Sequence, residues 1–399
     1  MAGNLNTLRE EEVKIFLSAG ETSGDLYASY LAKTIKEEIP NVRFRGMGGE
    51  HMRREGIAIL IHSTQKGAIG IVESLKVVPF FLLALQRIKR FLSQNPPDLL
   101  ILIDFGAFNL RLGRWAKSKG IPVLYFIPPG SWKREVGKNA ERLKQSADKV
   151  VCIFPWNKSA LEKYGIEAYF FGHPLLDILV KEKKEEARAA LGLQEAPTIG
   201  FLPGSRIQEI RYVLPTLLET VPYIKKLIPT AQFVISPPES LYPFLNKTLP
   251  TKWEIHQSTF RKNADIIHIR AGQSHRVINA SDALIVTSGT ATLESAIFET
   301  PLIVVYKGSL LTKLEYKIRR MRLPYISLPN IVLGRKEIPE LIQEQANPSL
   351  LATLVRELIL DEEERNKQLM LFKEIKAQLG EKGMFKKTVG LIKEMLEKR

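Results

Sequence analysis

A single cysteine, Cys152, occurs in 399 residues, so the chain contains no disulfide framework and a reducing compartment is expected. It lies within the apolar run Lys149-Val-Val-Cys-Ile-Phe154, where a buried inert thiol is the expected state rather than a nucleophile. Long hydrophobic runs are missing too. The longest, Val77 to Leu85, falls well short of the ~20 residues that span a bilayer. Met1 to Glu12 is polar and lacks the apolar centre of a secretion signal, so the chain is expected to stay in the cytoplasm. There is no metal-ligand spacing, no interleaved basic and aromatic motif and no recognition-helix signature, which argues against a metal and against nucleic acid. A G-x-G-x-x-G turn, a repeat of solenoid period and a low-complexity tract are likewise absent, excluding NAD or FAD folds and repeat arrays.

What is present is positive charge: 58 Lys and Arg against 43 Asp and Glu, a net +15. With nucleic acid disfavoured, an anionic membrane surface and phosphorylated substrates remain as partners. A chain of this length exceeds the ~250 to 300 residues at which single cores split, so two domains are expected.

Apolar, β-rich runs alternate with stretches of helical period, the pattern of parallel α/β sheets. In the first half they are Val13 to Ala19, Val42 to Met47, Leu99 to Asp104, Val123 to Ile127, Lys149 to Ile153 and Ala168 to Phe171. After the charged segment Lys181 to Arg188, read as a solvated helix face, they resume at Thr198 to Leu202, Gln232 to Ser236, Ile266 to Ile269, Ala283 to Thr287 and Leu302 to Val305. The expectation is two Rossmann-like α/β domains facing a cleft, over residues 1–175 and 176–360. Helices over 361–399 would pack back on the first domain.

Ligands of open parallel sheets sit beyond the carboxyl ends of the strands, and five loops there carry candidate chemistry. The first, Ser18-Ala-Gly-Glu-Thr-Ser-Gly-Asp25, offers Gly20, Glu21, Ser23, Gly24 and Asp25 for an anion or a sugar hydroxyl; the alternative is a plain turn capped by Ser23 or Asp25. The second, Ile103-Asp-Phe-Gly-Ala-Phe-Asn109, aims Asp104 at the crevice, where a desolvated carboxylate can take a proton from a hydroxyl; the alternative is a helix cap. The third, Leu202-Pro-Gly-Ser-Arg206, combines Gly204, Ser205, a helix N-terminus and the Arg206 fork for phosphate. The fourth, Val286-Thr-Ser-Gly-Thr-Ala-Thr-Leu-Glu294, has Ser288, Gly289 and Thr290 to cradle a diphosphate and Glu294 to accept from a ribose diol, with capping by Thr290 or Thr292 as the alternative. In the fifth, Pro324 to Arg335, Asn330 marks an ordered binding loop.

Together these segments resemble the lipid A disaccharide synthases, inverting glycosyltransferases of the GT-B fold. The resemblance is carried by Ala19-Gly-Glu-Thr-Ser-Gly-Asp25, Gly70-Ile-Val-Glu-Ser-Leu75, Phe171-Gly-His-Pro174, Leu202-Pro-Gly-Ser-Arg206, Ser288-Gly-Thr-Ala-Thr-Leu-Glu294 and Tyr325-Ile-Ser-Leu-Pro-Asn330. It implies transfer of 2,3-diacylglucosamine from UDP to the 6-hydroxyl of 2,3-diacylglucosamine 1-phosphate, without metal or cofactor, on the cytoplasmic face of the inner membrane. It also implies Asp104 as general base, the acceptor sugar at the loop from Gly20 to Asp25, and UDP at Gly204 to Arg206 and Ser288 to Glu294 (Thr292 included), with Asn330 near the donor. His173 is read as structural. Two acceptor-side segments depart from the family. Asp104-Phe-Gly-Ala-Phe-Asn109 stands where Asp-x-Pro-Asp-Phe-Asn is usual, and Pro128-Pro-Gly-Ser-Trp-Lys-Arg134 replaces a tryptophan-rich stretch.

The segment from Gly67 to Leu92 places Val77, Val78, Phe80, Phe81, Leu82, Leu83 and Leu85 between Lys76, Arg87, Lys89 and Arg90. That reads either as an element lying on an anionic membrane or as a buried helix. The other functions in view are a UDP-sugar transferase with another lipid acceptor, a UDP-sugar epimerase, and a nucleotide- or lipid-binding protein without turnover.

Overall fold

The structure, a computed structural model, describes residues 12–63, 71–130, 139–249, 253–256, 258–308 and 325–398, with side chains left out at 71–77, 139 and 246–248. The chain divides into two compact units. One contains the residues up to Ile178 and those from Leu379 on; the other runs from Leu179 to Gln378.

The first unit is a seven-stranded parallel sheet, ordered β3-β2-β1-β4-β5-β6-β7, of β1 (Val13–Ala19), β2 (Val42–Gly48), β3 (Ala58–His62), β4 (Leu99–Ile103), β5 (Val123–Phe126), β6 (Lys149–Cys152) and β7 (Ala168–Phe170). Every residue of β4 is buried, as is every residue of β5. A strand covered on both faces must be apolar at every position, which is why these runs do not alternate. Helices α1 (Thr22–Glu38), α2 (Glu50–Arg54), α3 (Ile71–Gln94), α4 (Gly106–Ser118), α5 (Asn139–Lys144), α6 (Pro155–Glu162) and α7 (Pro174–Ile178) make the crossovers. Phe16, Leu100, Leu102, Leu112 and Tyr125 form part of one core with Ile88 and Leu92 of α3.

The second unit is an eight-stranded sheet, ordered β10-β11-β12-β9-β8-β13-β14-β15. It consists of β8 (Thr198–Leu202), β9 (Gln232–Ile235), β10 (Glu254–His256), β11 (Thr259–Lys262), β12 (Asp265–Ile269), β13 (Ala283–Thr287), β14 (Leu302–Tyr306) and β15 (Glu340–Ile342). Only the pairings of β11, with β10 and with β12, are antiparallel. Its helices are α8 (Lys184–Leu191), α9 (Ile207–Leu227), α10 (Ser274–Ala280), α11 (Thr290–Phe298), α12 (Leu328–Leu333), α13 (Pro348–Leu360) and α14 (Glu362–Gln378). Phe201, Phe233, Ile285 and Val305 pack with Val213 and Leu217 of α9 and Val355 of α13 in its core.

Of the two helices read as crossing back, α14 belongs to the second unit and only α15 (Met384–Glu397) to the first. There Phe385 stacks on Tyr30 at 5.9 Å, Lys393 pairs with Glu38 at 2.6 Å, and Asp177 accepts the Gly383 and Phe385 amides at the start of the helix. His173 sits at this joint: its Nδ1 accepts the Leu175 amide and its backbone N–H donates to Leu379 O. Burial pushes its pKa down to about 3, so it is neutral and structural. Cys152 is buried, with its thiol pushed up to about 12 by burial first and by Glu162 next, as befits an inert core residue.

In each sheet the strand order reverses once. In the first unit the chain winds from β1 to β2 and β3, then returns to lay β4 on the other side of β1; in the second, β13 returns beside β8. The loops after β1 and β4, and after β8 and β13, are therefore the two topological switch points, where open α/β sheets hold ligands. Four of the five candidate loops fall at these positions.

Candidate active site

At the first switch point the backbone is held in an unfavourable shape by many bonds. Asp104 and Phe105 have φ of 44° and 49°, and Ile127 across from them has φ 66°. Left-handed non-glycine residues cost on the order of 1–3 kcal/mol each and persist where surrounding contacts over-determine them. Those contacts are visible. The Asp104 amide donates to Ile127 O at 2.9 Å, and its carbonyl accepts the Tyr125 hydroxyl at 2.7 Å and the Asn109 amide at 3.0 Å. The same Asn109 Nδ2 lies within hydrogen-bonding distance of Ser18 O and Ile103 O, and its Oδ1 accepts the Ser18 hydroxyl at 2.6 Å. A Cβ on Gly20 would strike the Phe105 ring, so glycine lets the two loops close on each other.

The Asp104 side chain does not cap α4, whose N-cap is Phe105. Its pKa is raised to about 7, first by burial and then by the negative charge of Glu21, while the Phe105 amide pulls the other way. A carboxyl at that value can both hold and release a proton near neutrality.

Asp25 has a different role from the one expected. It is buried, and its carboxylate accepts the amides of Gly49, His51 and Met52 at 2.7, 2.9 and 3.2 Å. It therefore caps α2 and ties β2 to the loop, leaving it unsuited to a sugar; nor does it or Ser23 cap α1, whose N-cap is Glu21. Gly24 is buried against Ile103 and Ala19, so it allows close packing instead of contact with a ligand.

Beside Asp104 lies an aromatic cluster. Phe81 of α3 is 4.8 Å from Phe105 and 6.0 Å from Phe108, and Phe80 is 5.1 Å from Phe81. Farther along α3, Ala84, Leu85, Ile88 and Leu92 are buried, whereas Val78, Leu82 and Leu83 are exposed, Leu83 at 67%. One face of this helix is thus core and another is exposed to solvent. Lys76, Val77, the segment 64–70 and Ser131 to Arg134 with Trp132 lie outside the described side chains. Among the described residues no helix is long and apolar enough to cross a membrane.

At the second switch point, Gly204 has φ 108°, and a Cβ there would strike Glu209. Glu209 Oε2 accepts the Ser205 and Arg206 amides at 2.8 and 3.3 Å, and its Oε1 accepts Arg206 Nη1 at 3.1 Å. The amides expected to meet phosphate are therefore taken by a capping-box carboxylate, and Arg206 is held by that same residue.

The turn after β13 is more open. Gly289, extended at φ 162°, is the N-cap of α11 and brings no side chain to its first-turn amides; a Cβ there would meet only Thr287 O, at 4.0 Å. Thr290 opens the helix. Ser288 is braced, its amide on Val305 O and its hydroxyl on Ile326 O at 3.0 Å. Thr292 is buried and donates to Gly289 O at 2.7 Å, so it shapes the turn. Glu294 Oε2 lies 3.4 Å from His275 Nε2 on α10. Burial lowers the His275 pKa, but the hydrogen bond and charge of Glu294 carry it above the ordinary value. His275 was not legible as a site residue, because nothing in its local sequence points across to α11.

Asn330 is fully buried within α12. Its Nδ2 donates to Ile338 O and Glu340 Oε1, and its Oδ1 accepts the Glu337 and Ile338 amides, all at 2.9 Å. With these bonds made to the protein, it braces the segment that carries it. Glu340 in turn accepts the Ile326 and Ser327 amides, and Ile326 carries the carbonyl that holds Ser288.

Residues 15–392 match the family model for lipid-A-disaccharide synthetase. The chain is 34% identical to the lipid-A-disaccharide synthase of Trichlorobacter lovleyi over 96% of this chain and 98% of that protein. It is 35% identical to lipid-A-disaccharide synthase 1 of Legionella pneumophila over 84% and 85%. Among solved structures, a putative UDP-N-acetylglucosamine 2-epimerase of Listeria monocytogenes superposes with a TM-score of 0.65 at 12% identity, over 98% of both chains. The glycotransferase of kitacinnamycin gives 0.62 at 12%, over 97% of this chain and 100% of that one, and the S. aureus MnaA–UDP structure gives 0.62 at 13%, over 96% and 97%. Likeness at such identities shows the two-unit α/β fold that glycosyltransferases of the GT-B type share with sugar-nucleotide epimerases. The sequence match goes further: the chain belongs to the lipid-A-disaccharide synthase family of glycosyltransferases.

Proposed function

We propose that the protein transfers 2,3-diacylglucosamine from its UDP ester to the 6-hydroxyl of 2,3-diacylglucosamine 1-phosphate, forming a β-1,6 disaccharide and releasing UDP. The observation that carries the reading is Asp104, poised near pH 7 on a strained turn at the first switch point. The Asp104 carboxylate takes the proton of the acceptor hydroxyl as that oxygen bonds to the anomeric carbon. The bond to the UDP oxygen breaks on the opposite face, and the proton passes from Asp104 to solvent. The leaving diphosphate carries the new negative charge. The start of α11, with its Thr290 and Ala291 amides, supplies partial positive charge for it, as does Arg206, and Glu294 accepts from the ribose diol. The aromatic cluster beside Asp104 gives acyl chains an apolar wall, and the exposed Val78, Leu82 and Leu83 lie on an anionic membrane surface, cytoplasmic in the family's setting.

The test is incubation with UDP-diacylglucosamine and the monosaccharide phosphate, with and without EDTA, and mass spectrometry of the product. Disaccharide plus UDP in both arms is expected. UDP release only with another lipid acceptor would favour the second reading, a transferase with altered acceptor choice, which the Ala107 substitution for a family carboxylate supports.

A further inference from the structure

A row of polar residues at the carboxyl edge of the second sheet is unexplained by the donor contacts above. Thr287 ends β13 and, two residues beyond Ile285, lies on the face that α9 covers. Lys307 follows β14 in the same relation to Val305, and its Nζ donates to Thr216 Oγ1 of α9 at 2.6 Å. Gln343 follows β15, which pairs with the end of β14 through Tyr306 and Ile342. It holds φ 56°, a left-handed value uncommon for a residue other than glycine.

Two of these groups are buried with an uncommitted polar atom. Thr287 is 3% exposed and Gln343 8%, yet Thr287 Oγ1 and Gln343 Nε2 have no hydrogen-bond partner among the described residues. The orientation of the Gln343 carboxamide is set by its oxygen, which accepts the Gly308 amide at 3.4 Å, so the nitrogen is the group left to donate. Buried polar atoms are almost always paired, and an exception in a strained loop at a ligand-binding edge calls for a partner supplied from outside.

We infer that Thr287, Lys307 and Gln343 form the subsite for the glycosyl part of the donor, with Gln343 Nε2 and Thr287 Oγ1 bonding neutral oxygens of the sugar, its hydroxyl or acyl carbonyl groups. The chemistry favours the sugar over the diphosphate, because the two uncommitted groups are neutral and the neighbouring helix start at Thr290 and Ala291 presents backbone amides suited to phosphate. Lys307, tethered to Thr216, sets the cationic end of the row. The inference rests on the donor being a UDP-sugar bound at the second switch point.

The test compares Gln343→Glu and Thr287→Val with wild type, reading KM for the UDP-sugar, Kd for UDP by calorimetry, and melting temperature. Gln343→Glu keeps an oxygen to accept from Gly308 and replaces the donor with a second carboxylate oxygen, whose negative charge lies beside Lys307. It is expected to raise KM about tenfold while the UDP Kd moves less than about twofold. Thr287→Val should raise KM about three- to fivefold, and without ligand should melt no lower than wild type, since it removes an unpaired buried hydroxyl. An unchanged KM in both variants would overturn the subsite, and an equal weakening of UDP alone would reassign the row to the diphosphate. Wild type that neither binds UDP nor turns over the UDP-sugar would sink the underlying reading instead, so the two failures are distinguishable. Should Gln343→Glu melt well below wild type, Thr287→Val decides by the same KM and Kd outcomes.

Discussion

The two switch points are built by opposite means. Around Asp104 the protein places strain on one half-buried ionisable group, and Asn109, Tyr125 and Ile127 hold the backbone that carries it. Around Gly289 the turn presents backbone amides and small side chains, and tight bonding braces it through Ser288, Ile326, Glu340 and Asn330. Proton transfer needs one group with a displaced pKa, and displacement requires desolvation. Binding of a diphosphate needs several weak donors at fixed spacing, which a helix N-terminus supplies without a charge to bury.

The largest expected effect falls on the first of these regions. Asp104→Asn should lower kcat by about 10²- to 10⁴-fold while leaving UDP affinity within about twofold, as checked by calorimetry. A fully active variant would erase the contrast. In wild type, kcat/KM should climb about tenfold per pH unit up to about 7 and then level, because the deprotonated carboxylate is the reactive form. The stability effect has the opposite sense. Between the ordinary value of 3.8 and about 7 the folded chain keeps a proton that the unfolded chain has released, so this group's contribution to stability falls as pH rises through that window. Asp104→Asn should accordingly be about 1–2 kcal/mol more stable than wild type at pH 8, with the difference vanishing near pH 4 in denaturant titrations.

Next in size, Arg206→Ala and Glu294→Ala should each weaken UDP binding about tenfold with kcat less affected; calorimetry showing no change would remove the binding function from the second region. Asn109→Ala should cost about 1–3 kcal/mol, because three carbonyls in two backbone segments lose their donor, and thermal melts would show whether the bracing is as local as the geometry indicates. Smaller still, His275→Ala should weaken UDP about two- to threefold by freeing Glu294 from its orienting contact. At the apolar surface of α3, Leu82→Ser with Leu83→Ser should reduce sedimentation with anionic vesicles without changing the melting temperature, since both side chains are exposed. Phe81 is a poorer probe, because it packs on Phe105 beside the candidate base.

Much of the fold was legible because central parallel strands are apolar on both faces. Leu99 to Ile103 and Ala283 to Thr287 stand out without any knowledge of their neighbours. The strands that escaped notice are short and lie at or near sheet edges: β3, β10, β11 and β15. Edge strands face solvent on part of their surface, so Ala58 to His62 and Glu254 to His256 carry polar or exposed positions that dilute the pattern. The place of Asp104 at a strand end was legible. The committed roles of Asp25 and Glu209, and the contact of His275 with Glu294, were not.

The sequence by itself determined two α/β units, the loops at their strand ends and the family to which the chain belongs, because strand periodicity and short motifs are local properties of the chain. Only the tertiary structure decided which polar groups in those loops remain available to a ligand. Asp25 reaches amides 24 to 27 residues away and Asn109 reaches Ser18 across 91 residues. A hydrogen bond committed at that distance leaves no local mark, and neither does the want of a partner at Thr287 and Gln343.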